Sequence, residues 1–74
     1  MNNEWSEHAL KAAEYANWAS IHYKKAAEFN DLGDIERALH HALLAATDMD
    51  YSTQHAKKAN DYCFKTMISD MLEY

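Results

Sequence analysis

Helix breakers are confined to one place in this chain: proline is absent and the only glycine is Gly33. An alanine-rich backbone without them has nothing to stop an α-helix once one has begun. The exception is Asn30-Asp31-Leu32-Gly33-Asp34. There Gly33 suits the left-handed position that closes one helix, and Asp34 suits the N-cap that opens the next. The chain therefore reads as an all-α antiparallel helical hairpin, a single domain over residues 1–74.

Hydrophobic spacing supports that reading. Trp5, Ala9, Ala12, Ala16, Ala19, Tyr23 and Ala26 recur at alternating intervals of four and three, the mark of one buried stripe. After the turn, Ile35, Leu39, Ala42, Ala46, Met49, Thr53, Ala56, Asn60, Cys63 and Met67 keep the rhythm. The run Thr47 to Thr53 gathers weak helix formers and good capping residues, with Thr47 and Asp50 spaced as a loose capping box. It predicts a break, and so three helices over about residues 4–30, 34–47 and 49–73.

A 33-residue internal repeat lays residues 8–30 on residues 41–63. It pairs His8 with His41, His22 with His55, Lys24-Lys25 with Lys57-Lys58, and Ala9, Leu10, Ala12, Ala13 and Ala26 with their counterparts. An offset of this size is typical of stacked helical-hairpin repeats. Over about residues 19–52, Ala26, Phe29, Gly33-Asp34, Ala38 and Ala45 fall where the tetratricopeptide-like helix-turn-helix family places small, bulky, turn, small and small residues. The chain resembles that family in part. His22, Lys25, Ala42 and Asp50 depart from its pattern, and the resemblance implies helix-hairpin packing without the family's peptide groove, which needs about three repeats.

Histidine carries the most distinctive chemistry. If the helices fold back at Gly33, positions summing to about 63–64 lie level. His8 then meets His55, His22 meets His41, and Tyr15 lies opposite Asp48. Such a seam could sense pH or hold a transition metal, since paired imidazoles resist joint protonation and can share an ion. The bland alternative is amphipathic filler at a helix border. No Glu-x-x-His or His-x-x-x-His motif is present, so no cofactor is expected.

Twelve acidic against seven basic residues give a net charge of -5, which disfavours broad binding to phosphate backbones. The lysine pairs could still direct the chain to nucleic acid, and the acidic residues could mimic it. Both readings are weakened because the two signs are interleaved along the sequence. Cys63 lacks an orienting motif, and no nucleotide or zinc-hydrolase signature occurs; the chain is expected to be no enzyme. A lone cysteine, no signal-type start and no long apolar run predict a cytoplasmic protein without a membrane span.

Aromatic residues exceed what one hairpin can enclose. Trp5, Tyr15, Trp18, Tyr23, Tyr51, Tyr62 and Phe64 are the candidate interaction surface, because Trp and Tyr concentrate in binding hot spots. A core this small supplies only roughly 3–5 kcal/mol, so self-association into a dimeric helical bundle is expected. The functional expectation is a non-enzymatic protein-binding module: a self-associating adaptor, inhibitor or regulator with itself and a further protein as partners. Its size and style match phage and bacterial accessory proteins.

Overall fold

The computed structural model describes the backbone of residues 3–72 and the side chains of residues 4–65 and 68. Two α-helices account for nearly all of it, α1 (Asn3–Asp31) and α2 (Ile35–Leu72). They pack against each other as an antiparallel hairpin with extents of 61 × 16 × 13 Å, α2 being the longer by nine residues, 38 against 29. No strand occurs among the described residues.

The reversal uses the residues that predicted it. Gly33 sits at φ 81°, the Asp34 amide donates to the Phe29 carbonyl at 2.9 Å, and the Gly33 amide donates to the Asn30 carbonyl at 3.0 Å. This is a Schellman closure, and it satisfies the last carbonyls of α1. Asp34 then caps α2: its Oδ1 accepts from the Arg37 amide at 3.1 Å. A Cβ at residue 33 would meet nothing within 4 Å, so Gly33→Ala tests backbone conformation alone. It should cost about 1–2 kcal/mol of unfolding free energy, read from denaturant midpoints; a neutral substitution would contradict the left-handed turn.

The expected break over residues 47–52 is absent, and with it the third helix. α2 runs continuously from Ile35 to Leu72; the expected end at residue 73 lies outside the described residues. The weak helix formers are satisfied without leaving the helix. Thr47 Oγ1 donates back to the Leu43 carbonyl at 3.0 Å, Gln54 Nε2 donates to Asp50 Oδ2 at 3.2 Å, and Ser52 Oγ donates across to the Ala12 carbonyl at 2.7 Å. The tetratricopeptide-like pattern needs a second turn here, and the chain has none. Each copy of the repeat is one helix, and the two copies pair with each other.

That pairing corrects the stripe expected for α2. The buried residues are Ala19 in α1 and Ala38, Ala45, Ser52 and Ala59 in α2, a strict seven-residue spacing. Labelling these positions a, the half-buried His41, Asp48, His55 and Tyr62 are positions d. In α1, positions a are Trp5, Ala12, Ala19 and Ala26, and positions d are His8, Tyr15, His22 and Phe29. Ser52 meets Ala12 in the a row, while His8 meets His55 and His22 meets His41 in the d row. The stripe drawn through Ile35, Leu39, Ala42, Ala46 and Met49 instead occupies positions b and e, beside the seam; Met67 lies outside the described side chains. Because residues 33 apart take the same position, the hairpin has a pseudo-two-fold axis near Tyr15 and Asp48.

Candidate functional site

The two long sides of the hairpin differ in chemistry. On one, the d row forms two clusters of rings, around His8 with His55 and around His22 with His41, with Asp48 between them in the row. His8 Nδ1 lies 2.9 Å from His55 Nδ1, and His22 Nδ1 lies 3.2 Å from His41 Nδ1. Each imidazole also stacks on an aromatic ring: His8 on Tyr62, His55 on Tyr15, His41 on Phe29 and His22 on Trp18, with ring centroids 6.2, 5.7, 5.4 and 6.5 Å apart. Asp48 Oδ2 is 4.0 Å from His22 Nε2. The Tyr62 hydroxyl donates to the Glu4 carboxylate, and that bond raises the phenol above its ordinary range, aided by partial burial and the carboxylate charge.

Position g borders this row and carries cations. Arg37 covers the Phe29 ring and Lys65 the Tyr62 ring, at 5.6 and 6.0 Å from the ring centres. Partial desolvation in the seam, then His22, Lys25 and His40, hold His41 below the usual imidazole range. His55 is lowered in the same way, by desolvation and then by His8, Lys58 and Lys11. Lys25 acts on His41 from the opposite helix, and Lys58 acts on His55 from its own. Among the described residues, no group of three or more His, Cys, Asp or Glu side chains is arranged around a common metal position.

The opposite side is built from positions a, b and e, and charge is missing from it. Along residues 5–30 and 35–67, no charged residue and no histidine stands at any a, b or e position. Every acid, base and imidazole of those stretches occupies c, d, f or g. The two-fold relation brings the charge-free flanks of both helices onto one face: Trp5, Ala9, Ala16 and Tyr23 from α1, with Ile35, Leu39, Ala42, Met49 and Ala56 from α2. Leu39 is 66% exposed, Ile35 53% and Trp5 44%. No large side chain is fully buried among the described residues.

The hairpin therefore covers little of its own apolar surface. A compact monomer of 8.6 kDa exposes about 4,700 Å², whereas this chain exposes 5961 Å². Its radius of gyration is 17.4 Å against about 11 Å for a compact domain of that length.

The aromatic residues expected as one interaction surface are distributed over three sides. Tyr15 and Tyr62 are half-buried in the d row. Trp18 and Tyr51 border it and are exposed, Tyr51 against Tyr15 at 5.3 Å between ring centres. Trp5 and Tyr23 edge the charge-free face, and Phe64, 63% exposed, points away from the seam at position f. Cys63 is exposed. Residues that the aromatic criterion passes over, above all Ala9, Ala16, Leu39, Ala42 and Met49, line the middle of the broad face. The signal that finds them is the systematic absence of charge at a, b and e, which becomes legible once the heptad register is known.

No helix among the described residues is long and apolar enough to cross a membrane. Comparison with protein-family models, with curated proteins and with solved structures finds no match.

Proposed function

We propose that this chain is a protein-binding module that acts by occupancy, and that its first partner is a second copy of itself packed across the a/b/e face. The supporting observation is a face free of charge along residues 5–30 and 35–67, on a molecule whose described residues enclose almost no core. Monomeric soluble proteins rarely expose a contiguous apolar patch larger than a few hundred Å².

The areas fit this partner. Bringing each chain down to the surface of a compact protein would remove roughly 1,300 Å² from it. Two chains then lose roughly 2,500 Å², inside the range of obligate homodimers. Alanine at most a and e positions lets two hairpins approach at the close end of the about 8–10 Å helix spacing, so four helices can share the core that two lack. The same face on each copy would meet its counterpart about a two-fold axis, the isologous contact of most homodimers. Catalysis has no support in the exposed Cys63 or in the seam, and the adaptor, inhibitor or regulator reading follows from binding as the only activity.

Folding coupled to association makes the melting temperature rise with protein concentration. Thermal unfolding followed by circular dichroism over a hundred-fold concentration range should show a steady upward shift. A concentration-independent midpoint would remove the reading.

A further inference from the structure

We propose that the two imidazole pairs, His8 with His55 and His22 with His41, are cross-helix clamps that each bind one divalent transition-metal ion. The geometry that carries this is the distance between facing nitrogens. At a metal–nitrogen bond length of about 2.0–2.1 Å, two imidazoles on one ion stand about 2.9 Å apart in cis octahedral geometry and about 3.4 Å apart in tetrahedral geometry. The observed Nδ1 separations of 2.9 and 3.2 Å lie within that interval.

The rings are held for the purpose. All four stack on separate aromatic side chains, which limits rotation that ligation would otherwise have to suppress. At the second pair, the Asp48 carboxylate lies beside the other nitrogen of His22. The contact is longer than a hydrogen bond, but the carboxylate charge there favours the tautomer with its proton on Nε2, which leaves the Nδ1 lone pair free. The first pair borders an open hollow lined by Glu7, Leu10, Lys11 and Glu14, a path for an ion and its waters.

Without metal, one ring of each pair donates its Nδ1 proton to the other. On binding, that ring takes up a proton at Nε2 as it releases the one at Nδ1, so both rings stay neutral and both Nδ1 lone pairs reach the ion. Two protein ligands per site leave the remaining positions to water, consistent with no larger ligand cluster among the described residues. Imidazole-only ligation suits Zn²⁺, Ni²⁺ and Cu²⁺, with Cu²⁺ strongest. The clamps lie within one chain and on the side away from the a/b/e face, so they do not depend on how that face is covered.

The test is calorimetric titration of Zn²⁺ into the full chain carrying Cys63→Ser, which removes the exposed thiol as a competing ligand, near neutral pH where imidazoles are deprotonated. The expected result is two ions per chain, one in His41→Gln, and none in the His41→Gln/His55→Gln double variant. Should the double variant lose its helical circular dichroism, nitrogen chemical shifts of the histidine rings in the otherwise unaltered chain decide. Zinc must move the Nδ1 resonances of His8, His22, His41 and His55. Absence of binding, undiminished stoichiometry in a folded double variant, or shifts confined to His40 would overturn the proposal.

Discussion

Ala16→Glu should convert the protein to a monomer and remove most of its thermal stability. Ala16 stands at position e one residue from the pseudo-two-fold axis, half-buried beside the a row, and in the proposed dimer it comes close to its own counterpart. The substitution puts a carboxylate into apolar contact with no partner, which costs several kcal/mol per ion, and it places two like charges near each other. At 1.4 kcal/mol per decade, about 3 kcal/mol already weakens association by over a hundred-fold. The isolated hairpin encloses only four alanines and one serine among its described residues, so loss of the partner also lowers the melting temperature. Leu43→Glu is the control: Leu43 is 68% exposed at position f, on the side away from the seam, and its charge should leave mass and melting almost unchanged. A dimeric Ala16→Glu protein would exclude the a/b/e face as the contact.

Acid should loosen the metal-free hairpin, and the imidazole pairs set where. His41 and His55 have pKa values lowered in the folded chain, so the unfolded chain takes up protons first as pH falls. Their contribution is fully present above the ordinary imidazole value of about 6.5 and is lost as pH drops from there through the lowered folded values. The groups facing His41 are His22, Lys25, His40 and the Phe29 ring; those facing His55 are His8, Lys58, Lys11 and the Tyr15 ring. Every group among them that is charged, or gains charge as pH falls, is basic, so each added proton meets repulsion. Melting followed in the presence of a chelator should show a falling midpoint below about pH 6.5. The fall should be markedly smaller in the His41→Gln/His55→Gln protein; an equal fall in both would assign acid sensitivity to other groups.

How much of this was legible in the sequence depends on which interaction each residue type reports. The reversal was legible because Gly33 is the only glycine, the residue best suited to a positive φ, and Asp34 both completes the closure and caps α2. The level pairing of His8 with His55 and His22 with His41 followed from counting outward from that turn along straight helices. The supposed break at residues 47–52 failed because capping propensity is a local signal. Ser52 and Thr47 spend their hydroxyls on the Ala12 and Leu43 carbonyls, and the long helix keeps its register through them.

The seam of α2 was hidden for a different reason. Apolar spacing locates the surface that most needs covering, and in α2 that surface is the b/e flank with Ile35, Leu39 and Met49. The contact with α1 is made by Ala38, Ala45, Ser52 and Ala59 with His41, Asp48 and His55, residues too small or too polar to score as a hydrophobic stripe. Polar groups are tolerated there because each finds its partner on the opposite helix: Ser52 on the Ala12 carbonyl, His55 on His8 and Asp48 beside His22. The aromatic residues misled in the complementary way. Tyr15 and Tyr62 are bulky enough to suggest a docking surface, yet they serve as stacking walls for His55 and His8.

The central claim, that a second copy covers the charge-free face, is tested most directly by molar mass from sedimentation equilibrium at micromolar concentration. The account predicts a single species of twice the 8.6 kDa chain mass, shifted to the monomer by Ala16→Glu and not by Leu43→Glu. A stable, fully helical monomer of 8.6 kDa would contradict it.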